Sequence, residues 1–158
     1  MVARRSRTYR FRTTFRAPLP FVFRWCTDYR PDDGRLEHET FERRVLSRTP
    51  RQVVYEDLDR MPNGWSWRRH VVTLRPPNRW WSDSVGNYRD FRLEYELREL
   101  PGDRTEMRFV GRRAPAILGS PNPPVREFVR SMETSWRHFG KQLERDYRRT
   151  LRGRRRSG

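Results

Sequence analysis

The chain has 158 residues and a net charge of +16 at pH 7, and 34% of it is hydrophobic, including nine Phe, six Tyr and six Trp. This length fits one domain with a real hydrophobic core. No run of about 18 apolar residues occurs, which excludes a membrane-spanning helix. The single cysteine, Cys26, excludes an internal disulfide and a cysteine-rich metal site.

The basic charge is carried almost entirely by arginine, since Lys141 is the one lysine among 36 Lys and Arg residues. A preference this strong favours a coding bias of the source genome over selection for a ligand, and we interpret most of the charge as a solvated surface. A positive field also attracts anionic lipid or nucleic acid without specificity. The arginine-rich start is not followed by an apolar segment, so we expect no secretory signal and a cytoplasmic protein.

The first elements are a strand and a short helix. Residues 9–16 alternate between aromatic or Thr side chains and mostly Arg, which predicts a strand with one buried face. Pro18 and Pro20 end this strand and can begin a helix, and residues 32–34 form a turn or a very short helix. One face of the first helix is apolar: Val22, Trp25, Cys26 and Tyr29.

The middle of the chain has a hydrophobic period of two, broken by Pro- and Gly-containing turns. This pattern predicts six consecutive antiparallel strands near 39–47, 52–60, 65–74, 80–86, 90–99 and 105–112.

Loop length decides which face each strand buries, because a slip of one residue turns a strand over. At 62–64 we predict a three-residue loop, which pairs Asp57 with Arg69 and directs His70 outward, opposite Glu56.

The same loop length is predicted at 101–103, where it pairs Leu97 with Met107 and Tyr95 with Phe109 on the inner face.

The end of the chain predicts a long amphipathic helix. Asn122 can cap its start and Gly153 can end it, which gives a rod of about 40 Å up to Leu151. We therefore expect a domain at 1–151 and a basic, mobile tail at 152–158. The apolar stripe of this C-terminal helix contains Phe128, Val129, Met132, Trp136, Phe139, Leu143, Tyr147 and Leu151.

A strand, one or two short helices, a six-stranded meander and a long helix make an α+β fold. The sheet of about seven strands is twisted, so it should curl around the C-terminal helix. One helix cannot fill such a concave sheet, and we expect a cavity between them.

This order of elements resembles the START-like, or SRPBCC, superfamily, which includes polyketide cyclases and lipid-transfer domains. The residues that carry the resemblance are the first strand running into 17–25, the segment 27–33, the meander 39–112 and the final helix. The resemblance implies a helix-grip fold with an internal pocket for an apolar or amphipathic small molecule. Some members of the superfamily catalyse cyclisation or aromatisation there, and many only bind or carry a ligand.

The predicted register directs a polar group inward. A three-residue turn near 48–50 places Arg43 beside Tyr55, and Arg43, Asp57 and Arg69 then share one face. Such a group could anchor a carboxylate, phosphate or phenolate of an apolar ligand; alternatively it is an ion pair at a wet rim. The candidate ligand-binding residues are Trp25, Arg43, Tyr55, Asp57, Trp67, Arg69, Tyr95, Phe109, Met132 and Trp136.

Each candidate aromatic residue could instead fill the core. Of the adjacent Trp80 and Trp81 one must face outward, where it could contact a membrane or a partner. His38, His70 and His138 lack metal-ligand spacing, so no metal and no cofactor are expected. Cys26 is expected to be packed rather than reactive.

The sequence is therefore compatible with three hypotheses about function. The leading hypothesis is non-covalent binding or transport of an apolar or amphipathic small molecule, lipid or polyketide-like. The alternative is a cyclase or aromatase, with proton transfer by Asp57 or a tyrosine and an enolate stabilised by Arg43 or Arg69. Contact of the basic surface with nucleic acid or anionic membrane is the third. The sequence defines no oligomeric state.

Overall fold

The computed structural model of the chain describes residues 6–36, 41–61, 64–87, 91–114 and 124–156. Helix α1, Leu19–Cys26, and a short 3-10 helix, Asp33–Leu36, follow the first strand, and helix α2, Val125–Arg156, follows the last. The strands are β1 Arg7–Phe15, β2 Phe41–Thr49, β3 Gln52–Met61, β4 Gly64–Arg75, β5 Arg79–Gly86, β6 Phe91–Leu100 and β7 Arg104–Arg113.

All seven strands form one antiparallel sheet in the order β1-β7-β6-β5-β4-β3-β2. The meander from β2 to β7 is therefore closed at one edge by β1, which pairs with β7 along its whole length. The predicted α+β fold and its strands are confirmed.

The inner face of the sheet carries the core. In β1, Tyr9, Phe11 and Phe15 are buried while the arginines between them are exposed, as the alternation predicted. Phe11 stacks on Phe109 of β7 at 4.7 Å between ring centroids, and Phe15 contacts Trp136 of α2.

Helix α2 packs mainly along β1. Gly140 brings the two together, because a Cβ there would lie 3.2 Å from the Phe15 ring. Since the contact is concentrated on one edge strand, the sheet between β3 and β6 is left partly uncovered, and a cavity lies there.

The ends of α2 differ from the prediction. The helix continues through Gly153 to Arg156, so the prediction that Gly153 ends it was wrong, and Leu151 is 39% exposed rather than part of the buried stripe. The proposed cap at Asn122 lies outside the described residues.

The hairpin between β6 and β7 has the predicted register. Leu97 pairs with Met107 and Tyr95 with Phe109 across a three-residue loop. Asp103, in that loop, has a positive φ of 50°.

The hairpin between β3 and β4 does not have the predicted register. Met61 pairs directly with Gly64, which sets Asp57 opposite Arg68 and Tyr55 opposite His70. Residues 62–63 lie outside the described part of the chain. Because the loop is one residue shorter than predicted, β4 is turned over and its even-numbered side chains face inward.

The β2–β3 hairpin differs in two ways that compensate. Thr49 pairs with Gln52 across a two-residue loop, and a β-bulge lies between Val45 and Ser47. The bulge adds one residue to β2, so Arg43 still faces inward, now directly opposite Asp57 rather than Tyr55.

Trp80 is buried at 1% exposure, and Trp81 on the outer face is only half-buried, with the guanidinium groups of Arg75 and Arg92 each 5.7 Å from its ring centre. The most exposed tryptophans are instead Trp65 and Trp67 on the outer face of β4. No helix among the described residues is long and apolar enough to cross a membrane.

Candidate functional site

A cavity of about 370 Å³ lies between the inner face of the sheet and α2. This volume falls within the range of small-molecule sites in proteins, roughly 300–1,000 Å³. The half-exposed side chain of Arg30 and the exposed Ser131 lie on its lining, where the cavity meets solvent.

The structure brings most of the predicted site residues to this cavity. Seven of the ten line it: Trp25, Arg43, Tyr55, Asp57, Tyr95, Met132 and Trp136.

The other three lie elsewhere. Trp67 and Arg69 are on the outer face of β4, because of the shorter loop before that strand, and Arg69 forms a surface ion pair with Glu56 at 2.6 Å. Phe109 faces inward as predicted but is 1% exposed between Phe11 and Tyr95, in the core beside the cavity. The predicted Arg43–Asp57–Arg69 group is therefore wrong in its third member.

An ion cluster forms the polar side of the cavity. Arg43 Nε and Nη2 donate to the two carboxylate oxygens of Asp57 at 2.8 and 2.9 Å, and its Nη1 donates to Asp33 Oδ2 at 2.8 Å. The side chains of Arg43 and Asp57 are 8% and 9% exposed. A buried charge needs such paired, bidentate contacts, because desolvating it alone is costly.

The electrostatics of the cluster follow from this packing. Burial alone would lower the pKa of Arg43, but the hydrogen bond to Asp57 and the nearby charges outweigh it and raise that pKa further. Burial raises the pKa of Asp33, against the opposing effect of Arg43. The cluster contains one cation and two carboxyl groups, so Arg43 has no uncompensated positive charge to offer a ligand.

His70 was missed by the sequence prediction, which directed it outward. It is 4% exposed on the cavity wall, and its ring stacks on Tyr55 at 4.4 Å with an interplanar angle of 10°. Its Nδ1 lies 3.1 Å from Ser82 Oγ, and its Nε2 lies 3.8 Å from Asp57 Oδ2, beyond hydrogen-bond distance. Only the length of the 62–64 loop could have signalled this position.

Burial, reinforced by the positive charges of Arg68 and Arg43, holds the pKa of His70 well below its ordinary value of 6.5. The imidazole is therefore neutral at physiological pH.

The stack of His70 on Tyr55 continues to a third ring, that of Tyr29. Tyr29 adopts a left-handed backbone conformation with φ of 42°, and its ring stacks on Tyr55 at 5.1 Å. Burial raises the pKa of both hydroxyls, so both are protonated near neutral pH. The Arg43 guanidinium lies 4.3 Å from the centre of the Tyr55 ring.

The opposite side of the cavity is aromatic. Trp80 stacks on Tyr95 at 4.7 Å, and Trp136 of α2 meets Tyr95 edge-on at 5.7 Å. Trp25 donates its indole N–H to Asp146 Oδ2 at 3.0 Å, which fixes its ring beside the cavity. Flat, rigid rings with few competing polar atoms suit an apolar or aromatic ligand.

Two further titratable groups line the cavity near α1. Burial raises the pKa of the Cys26 thiol, reinforced by Asp28 and Asp33, so the thiol is not nucleophilic, in line with its predicted packing role. Burial likewise raises the pKa of Asp28 to about 6, again with Asp33 adding to it. Within the described ranges, no group of three His, Cys, Asp or Glu side chains could hold a metal ion.

The comparisons with known proteins bear on the fold. No family model and no curated protein sequence matches the chain. The structure is similar to the Zhui aromatase/cyclase from Streptomyces sp. R1128, with 11% identity and a TM-score of 0.65 over 93% of this chain and 96% of that one.

A START superfamily protein from Mycobacterium smegmatis has 14% identity and a TM-score of 0.64, covering 90% of this chain and 98% of its own. Ara h 8.0201 has 11% identity and a TM-score of 0.65, covering 87% and 97%. This chain therefore has the START-like, or SRPBCC, helix-grip fold that the order of its elements predicted.

Proposed function

We propose that this protein binds an apolar or amphipathic small molecule, lipid or polyketide-like, in the cavity between the sheet and α2, without a covalent step. The observation that carries the proposal is the cavity itself, about 370 Å³ with a stacked aromatic wall at Trp80, Tyr95 and Trp136. Burying a ligand's apolar surface there contributes about 25 cal/mol per Å².

The fold supports the same proposal. Proteins named as an aromatase/cyclase and as a START superfamily member share this architecture over nearly the whole chain. The basic surface is a weaker candidate for function, because many of its arginines face carboxylates: Arg69 faces Glu56, Arg79 faces Glu96 and Arg92 faces Asp83.

The proposal is tested by native mass spectrometry after incubation with a panel of fatty acids and polycyclic phenols. The expected result is one retained molecule per chain, lost in Ser135→Phe, which places a ring in the cavity from α2. Thr134→Phe is the matched control, since Thr134 is the exposed neighbour and lies off the cavity lining. Retention of no panel member, or equal retention by Ser135→Phe, contradicts the proposal.

A second candidate is a cyclase- or aromatase-like enzyme. The observation in its favour is the neutral imidazole of His70 beside Asp57 on the cavity wall. A neutral imidazole can take a proton from a carbon between two carbonyls and return it to the alkoxide formed on ring closure. The structure gives Arg69 no part in this chemistry, because it lies on the outer face.

Incubation of the protein with a linear poly-β-ketone analogue distinguishes the two candidate functions. Turnover that His70→Gln abolishes supports the enzyme, whereas binding without turnover supports the carrier. Arg69→Ala is the control and should leave any turnover unchanged.

A further inference from the structure

The polar side of the cavity has a specific chemistry. Its cation, Arg43, is already engaged by two carboxylates, Asp57 and Asp33. Arg68 lies 3.9 Å from Asp59 and over the Phe91 ring at 4.7 Å. An anionic ligand group placed beside Asp57 and Asp33 would be repelled by their carboxylates, and the arginine between them, Arg43, already bonds both.

His70 differs from these groups. It is 4% exposed, and among the residues that the structure describes no hydrogen-bond partner reaches its Nε2. A buried polar atom that stays without a hydrogen-bond partner is destabilising. The other ring nitrogen is held by Ser82 Oγ at 3.1 Å, and Tyr55 and Phe91 pack on the ring.

We infer that His70 Nε2 is the specificity contact of the cavity, and that it selects a neutral hydroxyl or carbonyl group on an aromatic ligand over a carboxylate. This inference rests on the proposed ligand-binding function and names the ligand class.

Either tautomer of the neutral imidazole can form a hydrogen bond with a ligand hydroxyl. If the Ser82 hydroxyl donates to Nδ1, Nε2 carries the proton and donates to a ligand carbonyl or phenol oxygen. If Nδ1 donates to Ser82, Nε2 accepts from a ligand hydroxyl. Neither tautomer has a positive charge, and the lowered pKa of His70 keeps the imidazole neutral near pH 7.

The test compares three probes of one shape, naphthalene, 1-naphthol and 1-naphthoate, by calorimetric titration at pH 7.5. The wild-type protein should bind 1-naphthol about tenfold tighter than naphthalene, as one buried hydrogen bond of about 1.4 kcal/mol implies. It should bind 1-naphthoate more weakly than 1-naphthol. In His70→Phe the preference for 1-naphthol should disappear while naphthalene still binds.

A second measurement does not depend on the folding of the Phe variant. The ¹⁵N resonances of the His70 ring, assigned by their loss in His70→Gln, should shift on addition of 1-naphthol and stay in place with naphthalene. The exposed His138 serves as an internal reference that neither probe should move.

The outcomes are distinct. Naphthalene and 1-naphthol binding equally well to the wild type, or an unchanged preference in His70→Phe, overturns the inference and leaves the proposed function standing. Tighter binding of 1-naphthoate also overturns it. Binding of none of the three probes overturns the inference and the proposed function together.

Discussion

The imidazole of His70 lies nearly parallel to the ring of Tyr55, 4.4 Å away and tilted by 10°, on the wall of the cavity. His70, on β4, is a buried titratable group. It lies close to Asp57 on β3, Arg43 on β2 and Arg68 on β4. Stability should therefore depend on whether His70 can be protonated.

The first prediction concerns acidification. The pKa of His70 is well below 6.5 in the folded protein and near 6.5 in the unfolded chain, so between these values the unfolded chain binds more protons. The free energy of unfolding should fall as the pH drops below about 6.5, by up to about 1.4 kcal/mol per pH unit from this group. Asp28, with a pKa raised to about 6, acts in the opposite direction over pH 4–6.

Urea unfolding at pH 7.5, 6.5 and 5.5 of the wild type and His70→Gln isolates this contribution, since Asp28 is common to both. The difference between the two should change with pH by the stated slope. Parallel curves for the wild type and His70→Gln would show that the imidazole is not buried as a neutral group.

The second prediction compares two arginines. Arg43→Met leaves the buried carboxylate of Asp57 without its cation and removes one of the two arginines beside Asp33, which should cost about 3–5 kcal/mol of unfolding free energy. Arg69→Met removes a half-exposed pair with Glu56 and should cost less than about 1 kcal/mol.

Chemical denaturation at pH 7.5 measures both. The reverse ranking would mean that Arg69 faces the cavity and Arg43 faces solvent. A three-residue loop at 62–64 would turn Arg69 toward the cavity in this way. This pair of variants therefore also tests the face that β4 presents to the cavity.

The third prediction concerns Gly86 at the end of β5. A Cβ at this position would lie 2.2 Å from the carbonyl oxygen of Trp67, a backbone atom that Asn87 also holds by hydrogen bonding from its N–H. Gly86→Ala should therefore destabilise the protein by about 2 kcal/mol or more. Gly153→Ala, where a Cβ meets nothing within 4 Å, should be neutral or slightly stabilising.

Thermal unfolding followed by circular dichroism compares the two glycine variants. Equal melting temperatures for Gly86→Ala and the wild type would mean that β4 and β5 do not approach as closely as described.

The sequence predicted the architecture because hydrophobic period and loop chemistry act locally. Tyr9, Phe11 and Phe15 alternate with arginine in a strand that packs against a solid core, so the buried face could be predicted without ambiguity. At 101–103 the apolar columns on both strands require the same loop length, and the register followed.

Strand β4 lacked such a constraint. One alternating column carries Trp65 and Trp67, and the other carries Ser66 and His70. Hydrophobicity favours the first column for the interior, but this part of the sheet faces a cavity and not a packed core. From β4 the polar side chains of Arg68 and His70 line this space, whereas Trp65 and Trp67 lie on the outer face. The hydrophobic alternation that identifies the buried face of a core strand therefore predicted the wrong face for β4.

Arg43 shows the opposite case, in which a correct orientation arose from two unpredicted features. The two-residue loop after Thr49 alone would turn β2 over, and the bulge beyond Val45 restores its face. Bulges leave no clear sequence signal, so the contact of Arg43 with Asp57 could not have been predicted from the turn alone.

The most direct test of the central claim, that the cavity between sheet and helix holds an aromatic ligand, is calorimetric titration with 1-naphthol of the wild type, Ser135→Phe and Thr134→Phe. The wild type and Thr134→Phe should bind one molecule per chain with a negative heat-capacity change, which marks apolar burial. Ser135→Phe should bind at least about tenfold more weakly, a difference of about 1.4 kcal/mol. No binding by the wild type, or equal affinity in Ser135→Phe, would contradict the claim.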